Sequence, residues 1–76
     1  MKVRVTAEQA GAWERRYLRM RALLAAWSFE PGGDMRAAAS CRAEAEAFGT
    51  WPDHRAIGHA AELRREAHEP APWALA

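Results

Sequence analysis

Large aliphatic residues are scarce in this chain. Leu, Ile, Val and Phe together supply ten of its 76 residues. That excludes a thick aliphatic core and leaves packing to other residue types. Cysteine is nearly absent as well. Cys41 stands alone, so no disulfide can form within one chain, and the chain reads as one suited to a reducing compartment. No apolar run approaches the roughly 20 residues that a membrane-spanning helix needs. Neither sign of charge dominates: eleven basic residues face ten acidic ones, for a formal net charge of +1. A dedicated nucleic-acid binder usually carries a clear basic excess. The sequence also lacks a glycine-rich phosphate loop, paired cysteines at metal-binding spacing and a nucleophile elbow. Gly32-Gly33 has no strand before it and reads as a turn.

Alanine dominates what is present, with nineteen residues. Four Trp, two Phe, one Tyr and three Met supply the bulk that the aliphatics do not. A low aliphatic share can signal disorder, but disorder also needs high net charge, which this chain lacks. The length allows one domain, spanning 1–76. Such a domain rarely gains more than about 3–5 kcal/mol from its own core, and often leans on a partner, a copy of itself, a metal or disulfides. The opening segment Met1-Lys2-Val3-Arg4-Val5 has no apolar stretch of secretory type, so a cytoplasmic setting is expected. Ten Arg against one Lys, with so much Ala, is the composition of a high-GC bacterial or phage genome.

Three helices account for the chain, about 7–28, 35–48 and 51–68, with a tail at 69–76. Thr6-Ala7-Glu8-Gln9 fits a capping box at the start of the first helix. Lys2–Val5 alternates polar and apolar residues; it reads as an extended lead-in, with a short strand as the alternative. Trp13, Tyr17, Met20, Leu24 and Trp27 follow steps of four and three, an apolar seam over two heptads. This seam, widened by Ala10, Leu18 and Leu23, is the expected inner face of the helix, with Trp27 and Phe29 closing its loop end. Glu30-Pro31-Gly32-Gly33 stops it. Asp34 caps the second helix, whose inner face is Ala38, Cys41, Ala45 and Phe48, and Gly49 is its expected left-handed terminator. Thr50 is the expected cap of the third helix, with Ala56, Ile57, Ala60, Leu63 and Ala67 along its inner side and Pro70 and Pro72 after it. The fold class is all-α: a small three-helix bundle, up-down-up, with extended N- and C-terminal tails. The first and third helices are then parallel. Gly11 and Gly58 fall inside helices at one end of the bundle and suggest a close crossing there. The second helix is shorter than the first by about two turns. The Trp13–Tyr17 end therefore needs cover from the third helix, the tail or another chain.

Chemistry-bearing clusters are few. His59, Glu62 and Glu66 share a face at metal-ligand spacing, but one helix offers three ligands at most, and a solvated charged face is the better reading. Cys41 sits mid-helix among alanines, where a small buried cysteine is common and an activated thiol is not. No catalytic residue, metal site or cofactor is assigned. The basic run around Arg15, Arg16 and Arg19 lies beside Trp13 and Tyr17, and Trp73 follows two prolines near the terminus. Arg and aromatic residues dominate binding hot spots. Trp13, Arg15, Arg16, Tyr17, Arg19 and Trp73 are accordingly the partner-binding candidates. The expected function is a small non-enzymatic protein-binding module, a regulator or inhibitor of phage or mobile-element style, acting on another protein or as a homodimer. The alternative is a small nucleic-acid-binding regulator using the Arg face of helix one or the start of helix three.

Overall fold

The computed structural model describes residues 4–72. Helix α1 spans Ala7–Phe29, α2 spans Met35–Phe48 and α3 spans Asp53–Glu66. The all-α three-helix bundle is therefore the observed fold. Among the described residues there is no strand; of Lys2–Val5 only Arg4 and Val5 are described.

Local chemistry sets most helix ends. At the start of α1 the Thr6 hydroxyl accepts from the Gln9 amide at 3.1 Å, and the Gln9 side chain accepts from the Thr6 amide at 3.0 Å. Two otherwise orphaned donors are satisfied reciprocally. Asp34 caps α2 by accepting from the Ala37 amide at 3.1 Å. The reversal between α1 and α2 passes through Gly33 at φ +80°, a conformation that glycine adopts without strain.

Two terminators differ from the sequence expectation. Gly49 is not left-handed; its φ of −63° and ψ of −19° continue the helical geometry. Thr50 does not cap α3 either. Its hydroxyl donates back to the Ala47 carbonyl at 2.8 Å, and Pro52 occupies the N-cap position with no side-chain cap. Pro lacks an N–H and is at home beside a first turn, so little is lost there. At the far end, α3 stops at Glu66, before the prolines. His68 is left-handed (φ 56°), its amide donates to the Arg65 carbonyl at 3.2 Å, and the Glu69 amide donates to the Arg64 carbonyl at 2.8 Å. This is a Schellman turn with histidine in the place usually taken by glycine.

Helix α1 is the central element and packs against both others. Its buried residues are Ala10, Gly11, Glu14, Leu18, Ala22 and Ala26, almost a single i, i+4 row. Against it lie Ala38 and Ala45 of α2, and Ala56, Ala60 and Arg64 of α3. Small side chains let the backbones approach closely, and Leu18 with Ala56 and Ala60 forms the central cluster. Tyr17, Phe48, Trp51 and Leu63 pack around it. Cys41 is half-buried and Ala67 is exposed, beyond the end of α3.

Ion pairs tie α3 to the first half of α1. Asp53 sits against Gly11 and pairs with Arg15, while Arg64 pairs with Glu14. Positions 53 and 64 are about 16 Å apart along α3, yet their partners lie within about one turn of α1. Both helices present i, i+4 rows of small side chains to each other.

Candidate protein-interaction face

The seam expected inside the bundle faces outward. Trp13 is 46% exposed, Met20 46%, Leu24 52% and Trp27 56%, whereas Leu18 is 1% exposed. Phe29 and Met35 extend the exposed apolar surface around the α1–α2 loop. Seam and buried row are distinct stripes of one helix. Bulky indole and thioether groups between α1 and its neighbours would hold the backbones apart. Alanines leave the close approach open, and the large groups are displaced to the outside. Trp27 and Phe29 are thus surface residues and not core caps.

The candidate contact residues divide into three kinds. Trp13, Arg16 and Arg19 are exposed on α1. Trp13 and Arg16 line one wall of an open apolar groove of about 340 Å³, together with Tyr17 and Met20. Its other wall comes from Arg64, Glu69, Pro70 and Pro72.

Arg15 and Tyr17 are engaged inside the molecule. Arg15 pairs with Asp53, and the same nitrogen donates to the Trp51 carbonyl at 3.3 Å, tying α1 to the start of α3. Tyr17 is half-buried; the Arg64 guanidinium lies 3.9 Å from its ring centre, and its hydroxyl accepts from Arg21 at 2.9 Å. Trp73 lies outside the described residues.

The internal ion pairs were not legible as pairs in the sequence. Glu14 and Arg64 are both buried and joined by a charge-assisted hydrogen bond, and the second carboxylate oxygen of Glu14 has no hydrogen-bond partner. Burying a charge is costly unless it is paired, so each residue of this couple depends on the other. The one available signal was that Glu14 falls on the alanine row, four residues from both Ala10 and Leu18. Among the described residues the ion pairs are Arg15–Asp53, Arg64–Glu14 and Arg42–Glu30.

His59 and Arg55 have aromatic partners. His59 stacks on Phe48 with ring centres 5.8 Å apart, and Phe48 meets the Trp51 ring edge-on at 4.8 Å. Arg55 caps Trp51 at 3.8 Å from the ring centre. The three aromatic rings weld the end of α2 to α3. His59 does not converge with Glu62 and Glu66, and no group of three potential ligands among the described residues is placed to hold a metal ion. No described helix is long and apolar enough to cross a membrane. What the surface offers is an apolar stripe on a rigid helix, edged by Arg16 and Arg19, with a groove at one end. Comparison with family models, with curated proteins and with solved structures returned no match to this chain.

Proposed function

We propose that this protein is a small non-enzymatic protein-binding module, a cytoplasmic regulator or inhibitor that acts by occupying a protein surface with the outer face of α1. The exposed row of Trp13, Met20, Leu24 and Trp27 is the observation that supports the reading. Contiguous exposed apolar surface edged by polar groups is characteristic of interaction sites. Trp anchors and Arg neighbours are the residue types that carry interface energy. Arg16 and Arg19 sit beside the row; Arg15, engaged with Asp53, is removed from the contact set.

The test is affinity capture from a bacterial lysate with and without nuclease, using the natural chain and a Trp27→Glu variant. The reading predicts a stoichiometric protein that survives nuclease and is lost with Trp27→Glu. Capture that disappears with nuclease would overturn it in favour of nucleic-acid contact through Arg16 and Arg19.

A further inference from the structure

We infer that the open groove beside the N-terminal half of α1 is the seat of this chain's own Trp73. The inference stands apart from the partner-binding reading of α1 and concerns only the groove end of its outer face.

The turn that ends α3 leads the chain there. His68 is left-handed, and the amides of His68 and Glu69 bond back to the carbonyls of Arg65 and Arg64. These bonds fix where the chain leaves the helix. Of the four described residues after His68, all but Ala71 line the groove, opposite Trp13 and Met20. Position 73 follows directly, with its α carbon about 3.8 Å from that of Pro72. An indole carried on that residue is within reach of the groove with no intervening chain to order.

The lead is also stiff. Pro70 and Pro72 each fix their own φ near about −65°, and each disfavours helical geometry in the residue before it. Little conformational freedom remains to be lost on seating Trp73, which is the advantage of a preorganised ligand. Tethering adds a second advantage. A group held by so short a connection acts at an effective concentration of about millimolar or above, and a free protein or a second copy must compete with it.

The groove suits an uncharged aromatic group. Trp13, Tyr17, Met20 and the two prolines make its lining of about 340 Å³ largely apolar. Trp13 and Met20 are each 46% exposed, so apolar surface is left to cover. The charges at its edge balance: Arg16 is matched in sign by Glu69, and Arg64 is paired with Glu14. Neither an anion nor a cation is favoured, whereas an indole adds apolar area and no charge. Seated there, Trp73 covers the Trp13–Met20 half of the seam and leaves Leu24 and Trp27 to a partner.

Nuclear Overhauser contacts in the natural chain test the seat directly, with the Trp73 indole signals assigned by comparison with Trp73→Phe. Contacts between the Trp73 indole and the Met20 methyl group are expected. Their absence, or contacts to Met20 from Leu75 instead, would overturn the proposal. So would contacts that arise between labelled and unlabelled molecules in a mixed sample, because the occupant would then be a second copy. Urea unfolding gives an independent reading. Trp73→Ala should raise the unfolding equilibrium constant by about tenfold. The same substitution in a Met20→Ala background should raise it clearly less, because part of the wall is already gone. An equal rise in both backgrounds would place Trp73 elsewhere and overturn the proposal. Lysate capture through Trp27 is untouched by either outcome, so the two readings fail separately.

Discussion

Single residues decide the tight places in this fold, and Gly11 is the tightest. A Cβ at that position would lie within 2.6 Å of the Asp53 Cβ, so Gly11→Ala must push α3 away or break the Arg15–Asp53 pair. A loss of about 1–3 kcal/mol is expected, the usual effect of overpacking. Gly58 has no atom within 4 Å of its added Cβ, and Gly58→Ala should stabilise by about 0.5–1 kcal/mol through helix propensity. Urea unfolding of the two variants side by side checks both signs. Of the two glycines read as marking a helix crossing, only Gly11 does so. Sequence shows that a glycine is unusual in a helix, but not whether another element lies over it. The Glu14–Arg64 pair gives a second residue-scale prediction. Glu14→Ala strands a buried guanidinium and should cost about 3–5 kcal/mol, enough to unfold so small a domain. Replacing both, Glu14→Leu with Arg64→Met, should restore a stability near that of the natural chain. A double variant as unstable as Glu14→Ala alone would show that the destabilisation has another source.

At the scale of elements, what sequence reveals is what local chemistry settles. Thr6 and Asp34 are legible caps because donor, acceptor and spacing all lie within four residues. Thr6→Ala should lower stability by about 1 kcal/mol, measured by thermal or urea unfolding. Gly49 and Thr50 were misread because the α2–α3 junction is set by longer-range packing, with Phe48, Trp51 and His59 packed against one another across it. The end of α3 was misplaced because its terminator is a left-handed histidine, which no local rule singles out. His68→Gly should therefore stabilise by about 0.5–1 kcal/mol, since glycine adopts that conformation freely. A stabilisation absent from the urea midpoint would mean that the imidazole contributes something the backbone does not show. The most instructive misreading is on α1. Periodicity finds a seam, but two stripes are present: one of large residues at heptad spacing and one of small residues at i, i+4. Hydrophobicity favours the first as core. Close approach of three alanine-rich helices selects the second, and a seam that no neighbour covers is left on the surface.

At the scale of the molecule, the bundle is a thin scaffold that displays one face of its longest helix. The core is mostly alanine around Leu18, so the chain buries little and exposes much. Partner-binding candidates chosen for residue type alone differ in how the fold holds them. Trp13, Arg16 and Arg19 are exposed, Arg15 and Tyr17 are held internally, and Met20, Leu24 and Trp27 had been assigned to the interior. The central claim, that α1 turns its small row inward and its large seam outward, is tested most directly by a pair of truncations. Leu18→Ala and Leu24→Ala remove the same atoms from the same helix, six positions apart. Their unfolding free energies should be compared in urea under identical conditions. Leu18→Ala is predicted to lose about 2–5 kcal/mol and Leu24→Ala less than about 0.5 kcal/mol. Equal losses, or a larger loss at Leu24, would contradict the account and return the seam to the interior.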